Sequence, residues 1–155
     1  MEKNPPYLPA SAPPWSKTEA AKFFHGAITD RVIACAISVH KELGPGFLEA
    51  IYEEAFAIEW ERKRISYERQ LPVRIRYQGV AVGMHRIVLV IDKKVVVELK
   101  AVKEIDDAHL ATCLSYLKAT NLRVGLIINF AEAKTRIRRV MRTPENDHGE
   151  AEGGR

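Results

Sequence analysis

The sequence predicts a single α/β domain built on a mixed β-sheet flanked by helices. Three observations carry this. Two segments in the first 65 residues repeat apolar side chains at helical spacing. The middle of the chain alternates apolar and polar residues, or runs apolar in short blocks bounded by turn residues. Val124 to Phe130 is a nearly continuous apolar run, the pattern of a central strand. With 155 residues, 46% hydrophobic and 28% charged, the chain is long enough for one substantial core.

Residues 1–25 hold five of the eight prolines, Pro5, Pro6, Pro9, Pro13 and Pro14, and read as an extended arm that offers Tyr7 or Trp15 for docking. From Ile28 to Leu43 the positions Ile28, Val32, Ile33, Ala36, Ile37, Val39 and Leu43 mark a helix, with Thr29 as its N-cap. Gly44-Pro45-Gly46 ends it. A second helix follows with Phe47, Leu48, Ile51, Ala55 and Ile58 as its buried stripe and Glu61-Arg62-Lys63-Arg64 as its wet end. Tyr52 on this helix reads as a core aromatic with a satisfied hydroxyl. Leu71 to Tyr77 alternates and stops at Gln78-Gly79; Val80 to Ile91 and Lys94 to Val102 form two strands joined through Asp92-Lys93-Lys94. Asp106 to Thr120 returns to helix with Leu110, Cys113, Leu114 and Leu117 inward, and Lys134 to Arg142 suits a basic helix or an edge strand. Residues 143–155 are a polar acidic tail, leaving 26–142 as the domain.

Composition excludes several functions. No apolar run approaches the ~20 residues of a membrane span, and the N-terminus lacks a signal-peptide pattern, so a cytoplasmic location with no membrane partner is expected. Cys35 and Cys113 sit in apolar helical contexts and read as reduced, buried thiols. His25, His40, His85, His109 and His148 lack zinc-ligand spacing. No phosphate-cradling glycine loop or serine nucleophile elbow is present. The net charge of +4 is compatible with a polyanionic partner, and Lys134, Arg136, Arg138, Arg139 and Arg142 are either phosphate contacts or a solvated edge.

The chemistry concentrates in Val95-Val96-Val97-Glu98-Leu99-Lys100-Ala101. Side chains alternate along a strand, so Glu98 and Lys100 share one face roughly 6.6 Å apart, while Val97 and Leu99 face a core on the other. A carboxylate and an ammonium beside so much valine either emerge as a surface ion pair or do chemistry. Glu49 on the second helix lies near Phe56 and Trp60, at the margin of the apolar stripe, where a glutamate is ordinarily solvated. His109 and Tyr116, seven residues apart, share nearly one face of the third helix.

Gly46, Glu49 and Tyr52, with the blocks His40–Gly46, Val97–Ala101, Ser115–Thr120 and Gly125–Phe130, resemble the GxxExxY proteins, a bacterial and archaeal branch of the PD-(D/E)XK nuclease-like superfamily. The resemblance spans Ile28 to Arg142, implies a restriction-endonuclease-like core, and makes Lys134–Arg142 a final strand. It implies Mg²⁺ or Mn²⁺ held by Glu98, the Leu99 carbonyl and Glu49, with Lys100 orienting the attacking water and Tyr116 and His109 standing over the site. It implies DNA or RNA as partner. Two positions depart from the pattern: Val88 stands where the family carries its main metal-binding aspartate, and Thr112 where it carries a glutamine. Three functions follow. The first is a nucleic-acid-associated nuclease fold with weak or no phosphodiester cleavage; the second is an active Mg²⁺-dependent nuclease using Glu49, Glu98 and Lys100. The third is a protein-interaction or homo-oligomeric module, such as a homodimer, that has abandoned the site.

Overall fold

The structure, a computed structural model, describes residues 24–143. The prolines of the expected arm and nearly all of the acidic tail lie outside the described residues. Helices α1 (Gly26–Leu43) and α2 (Glu49–Lys63) precede β1 (Tyr67–Tyr77), β2 (Val80–Ile91) and β3 (Val95–Lys100). Helix α3 (Asp107–Thr120) then crosses to β4 (Val124–Asn129), and β5 (Arg136–Met141) closes the order. The sheet runs β1-β2-β3-β4-β5, antiparallel except for the parallel β3–β4 pair, which α3 connects. The mixed α/β class is as the sequence predicts.

Two apolar clusters sandwich the sheet. One packs α1 and α2 against Leu89, Ile91, Val95, Val97, Leu99, Val124, Leu126, Ile128 and Phe130. The other packs α3, through Cys113 and Leu117, on Val73, Ile87, Val90, Val96, Ile127 and Val140. Both faces of β3 and β4 are therefore covered, which accounts for their unbroken apolar sequence. A Cβ on Gly125 would come 2.5 Å from Cys113 Sγ, so a residue without a side chain lets α3 lie close on β4.

Several expectations need correction. Helix α1 starts at Gly26 with His25 at its N-cap; Thr29 lies in the first turn, donating its hydroxyl to Gly26 O at 3.0 Å. Ile37 is exposed and Cys35 is buried in its stead. Helix α2 turns the opposite face inward from the one expected. Tyr52, Phe56, Ala57 and Trp60 are buried, while Leu48 is 79% and Ile58 52% exposed. Aromatics spaced four apart carry more apolar surface than the aliphatic stripe, and they win the core. Strand β1 begins at Tyr67, earlier than Leu71. The final segment is a strand, as the resemblance implies. Among the described residues no helix is long and apolar enough to cross a membrane.

Candidate functional site: the end of strand β3

Strand β3 places Glu98 and Lys100 on the α3 side of the sheet, opposite Val97 and Leu99. Because α3 covers that side, Glu98 is only 5% exposed and does not emerge as a surface ion pair. Burial pushes its carboxyl up to about 7; Lys100 pulls it down, Glu49 pushes it up, and the Val88 N–H lowers it by donating to the carboxylate. Glu98 Oε1 is buried without a hydrogen-bond partner. The field of Glu98 also reaches α3. Burial first, and Glu98 second, raise the Tyr116 hydroxyl and push the Cys113 thiol up to about 12.

The loop before α2 brings Glu49 to this point. Gly46 adopts φ +105, open to glycine and strained for other residues. The Tyr52 hydroxyl donates to Gly44 O at 2.6 Å and accepts from the Phe47 N–H at 3.4 Å, holding the loop from inside. Its ring stacks on Phe130 with centroids 4.2 Å apart, and His40 Nε2 meets Phe130 O at 3.2 Å. Helix α2 therefore starts beside the end of β3, where Glu49 Oε1 accepts from the Ala101 N–H at 3.3 Å. Asn129 completes the arrangement: its amide donates to Val102 O at 2.7 Å and its carbonyl oxygen accepts from the Val102 N–H at 3.1 Å. Replacing Tyr52 with phenylalanine is expected to cost about 1–2 kcal/mol in chemical denaturation, because Gly44 O and the Phe47 N–H lose their shared partner.

Both ladders of β2 break at Val88. The β2–β3 ladder pairs Leu89 with Val97 and stops before Val88 and Glu98. The β1–β2 ladder skips Gln70 and Val88, and Gln70 has φ +51. The irregularity turns β2 over: Ile87 lies under α3, whereas Leu89, two residues on, lies under α1 and α2. Val88 itself is half-buried against the α1/α2 cluster. The Gln70 amide is held by the buried Glu53 carboxylate, which also takes Arg69 Nε at 2.9 Å.

Of the predicted site residues, Glu98, Lys100, Glu49 and Tyr116 converge. His109 is spent at the start of α3, where its Nδ1 accepts from the Asp106 N–H at 3.1 Å in a capping box. Leu99 precedes Lys100, whose carbonyl accepts from the N–H of Phe130, just past β4; by strand alternation the Leu99 carbonyl is aimed to the β2 side. Thr112 donates its hydroxyl to Ala108 O at 2.9 Å within its own helix. Sequence reasoning missed Cys113 and Asn129 as neighbours of the site; a polar residue closing the apolar run 124–128 was the signal for the second. It also missed His85, whose ring meets Tyr116 edge-on at 5.4 Å.

An acid and a lysine two residues apart thus lie on a central strand, beside the helix that makes its parallel crossover. Compared with known families, residues 26–140 match the PD-(D/E)XK nuclease superfamily. The chain belongs to that superfamily. No curated protein and no solved structure matches it.

Nucleases of this superfamily usually work with Mg²⁺ or Mn²⁺. The residues present do not fit such an ion. Val88 offers only an alkyl group, turned to the α1/α2 side of the sheet, one oxygen of Glu49 is committed to Ala101, and burial pushes the Glu98 carboxyl up to about 7. Among the described residues no group of three or more His, Cys, Asp or Glu could hold a metal ion. A hard cation is held by oxygen ligands, and its affinity falls with the number of carboxylates offered.

Proposed function

We propose that this chain is a GxxExxY-type nuclease-fold protein that associates with nucleic acid and cleaves phosphodiester bonds weakly or not at all. The observation that supports the reading is Val88, an alkyl side chain packed on the α1/α2 cluster at the point where the β2–β3 ladder stops, with only its backbone N–H meeting the Glu98 carboxylate. With no side-chain oxygen at Val88, Glu98 is a lone buried carboxyl near pKa 7, better suited to being neutral than to holding a dication. Lys100 keeps its position and serves as a cationic contact for a backbone phosphate.

The test is cleavage of single- and double-stranded DNA and RNA in Mg²⁺ and Mn²⁺ by wild type, Val88→Asp and Val88→Asp/Lys100→Ala. The expected result is silence in wild type, activity in Val88→Asp, and its loss in the double variant. Wild-type cleavage abolished by Glu49→Gln and by Lys100→Ala would replace this reading with that of an active nuclease. Silence together with no salt-sensitive retardation of any nucleic acid would replace it with that of an interaction module.

A further inference from the structure

Strands β1 and β2 outrun the rest of the sheet. Strand β3 pairs with β2 only through Leu89–Ile91, so from Val80 to Val88 strand β2 has β1 alone as its partner among the described strands. The outer part, Arg74 to Arg86, is exposed at every residue but Ile75. Seven residues of β2 give a two-stranded ribbon about 20 Å long. An isolated hairpin of this kind is marginal in water, and this one shows solvent Tyr77 at 66%, Val80 at 66%, Val82 at 63% and Met84 at 57% exposure.

Its charge has one sign. Between Glu68 and Asp92 there is no acidic residue, while Arg74, Arg76 and Arg86 are all exposed. Register places Pro72 opposite Arg86 and Arg74 opposite Met84, so Arg74, Met84 and Arg86 lie on one face, the two arginines diagonal neighbours at about 7–8 Å. The other face carries Val73 and His85, the residues that meet α3. At its base the ribbon carries Val88, next to Leu89, where β2 begins to pair with β3.

We infer that the β1–β2 ribbon is a groove-reading arm for double-stranded DNA, Arg74 and Arg86 contacting phosphates while Met84, on the same face, meets the base edges. This rests on the proposed nucleic-acid association and names its element and substrate class. An anionic partner answers the acid-free surface, whereas a second copy would bring arginines of both copies together. A two-stranded ribbon fits the major groove of B-form DNA, and the deep, narrow major groove of A-form RNA excludes it.

The test is fluorescence anisotropy of a short labelled DNA duplex, and of the same sequence as an RNA duplex, over a salt series. It compares wild type, Arg74→Gln/Arg86→Gln, and Lys41→Gln/Arg62→Gln, two exposed cations on α1 and α2, as control, with melting curves verifying the fold of each. The ribbon variant is expected to weaken DNA binding about tenfold or more and to lower the salt slope by about 2, with the control near wild type. Unchanged binding by the ribbon variant, or RNA duplex bound as tightly as DNA, overturns the arm while leaving nucleic-acid association in place. No binding by wild type overturns both. A dimeric wild-type mass that Met84→Lys reduces to monomer overturns the arm in favour of a second copy.

Discussion

Val97→Asp is expected to abolish folding, with a loss of about 4 kcal/mol or more and no cooperative transition by circular dichroism. Val97 is fully buried under α1 and α2, paired with Leu89 on one side and Leu126 on the other, and all three lie in one apolar cluster. A carboxylate there has no cation within the cluster. Glu98→Ala, one residue on, removes a charge from the other face and should melt far above Val97→Asp. A well-folded Val97→Asp protein, or equal melting temperatures for the two variants, would reverse the face assignment on which the site is built.

The second large effect is in pH. Glu98 has its folded pKa raised to about 7 from an ordinary value of 4.5, so the folded state binds this proton more tightly than the unfolded chain. Below pH 4.5 both states are protonated and the burial penalty is absent. As pH rises the unfolded chain ionises first, stability falls through the window from 4.5 to 7, and the deficit is then constant. The difference of 7 − 4.5 corresponds to about 3 kcal/mol. Glu98→Gln should therefore match wild type at pH 5 to within the early part of that window, and exceed it by nearly the full amount at pH 8. Parallel profiles for the two proteins between pH 5 and 8 would mean an ordinary, ionised carboxylate at Glu98.

Much of the sheet was legible because its signals are local. Val80–Ile91, Val95–Lys100 and Val124–Asn129 carry alternation or continuous apolar character, and turn residues at Gln78-Gly79 and Asp92-Lys93 bound them. The face of α2 was not legible from spacing, because two apolar stripes compete on that helix and tertiary burial chose the aromatic one. The same choice decides the fate of Glu49. With Tyr52, Phe56 and Trp60 inward, its carboxylate is carried to the Ala101 N–H at the end of β3. His109 stands at N3 of α3, where its side chain reaches back to its own cap, a local role that its spacing from Tyr116 did not reveal. The burial of Glu98 depended on α3 folding back over the second face of β3, a tertiary contact that the strand's own pattern does not encode.

The account turns on Val88, and divalent-ion binding tests it without relying on cleavage. Titrating Mn²⁺ into wild type and Val88→Asp, followed by calorimetry and by melting temperature, reads out whether one oxygen decides the site. Val88→Asp should be less stable than wild type without metal, since it sets a carboxylate against the α1/α2 cluster and near Glu98. The predicted result is no saturable binding by wild type at millimolar Mn²⁺, against one-to-one binding by Val88→Asp with a rise in melting temperature. One-to-one binding by wild type, lost in Glu98→Gln, would contradict the account and restore an intact metal centre.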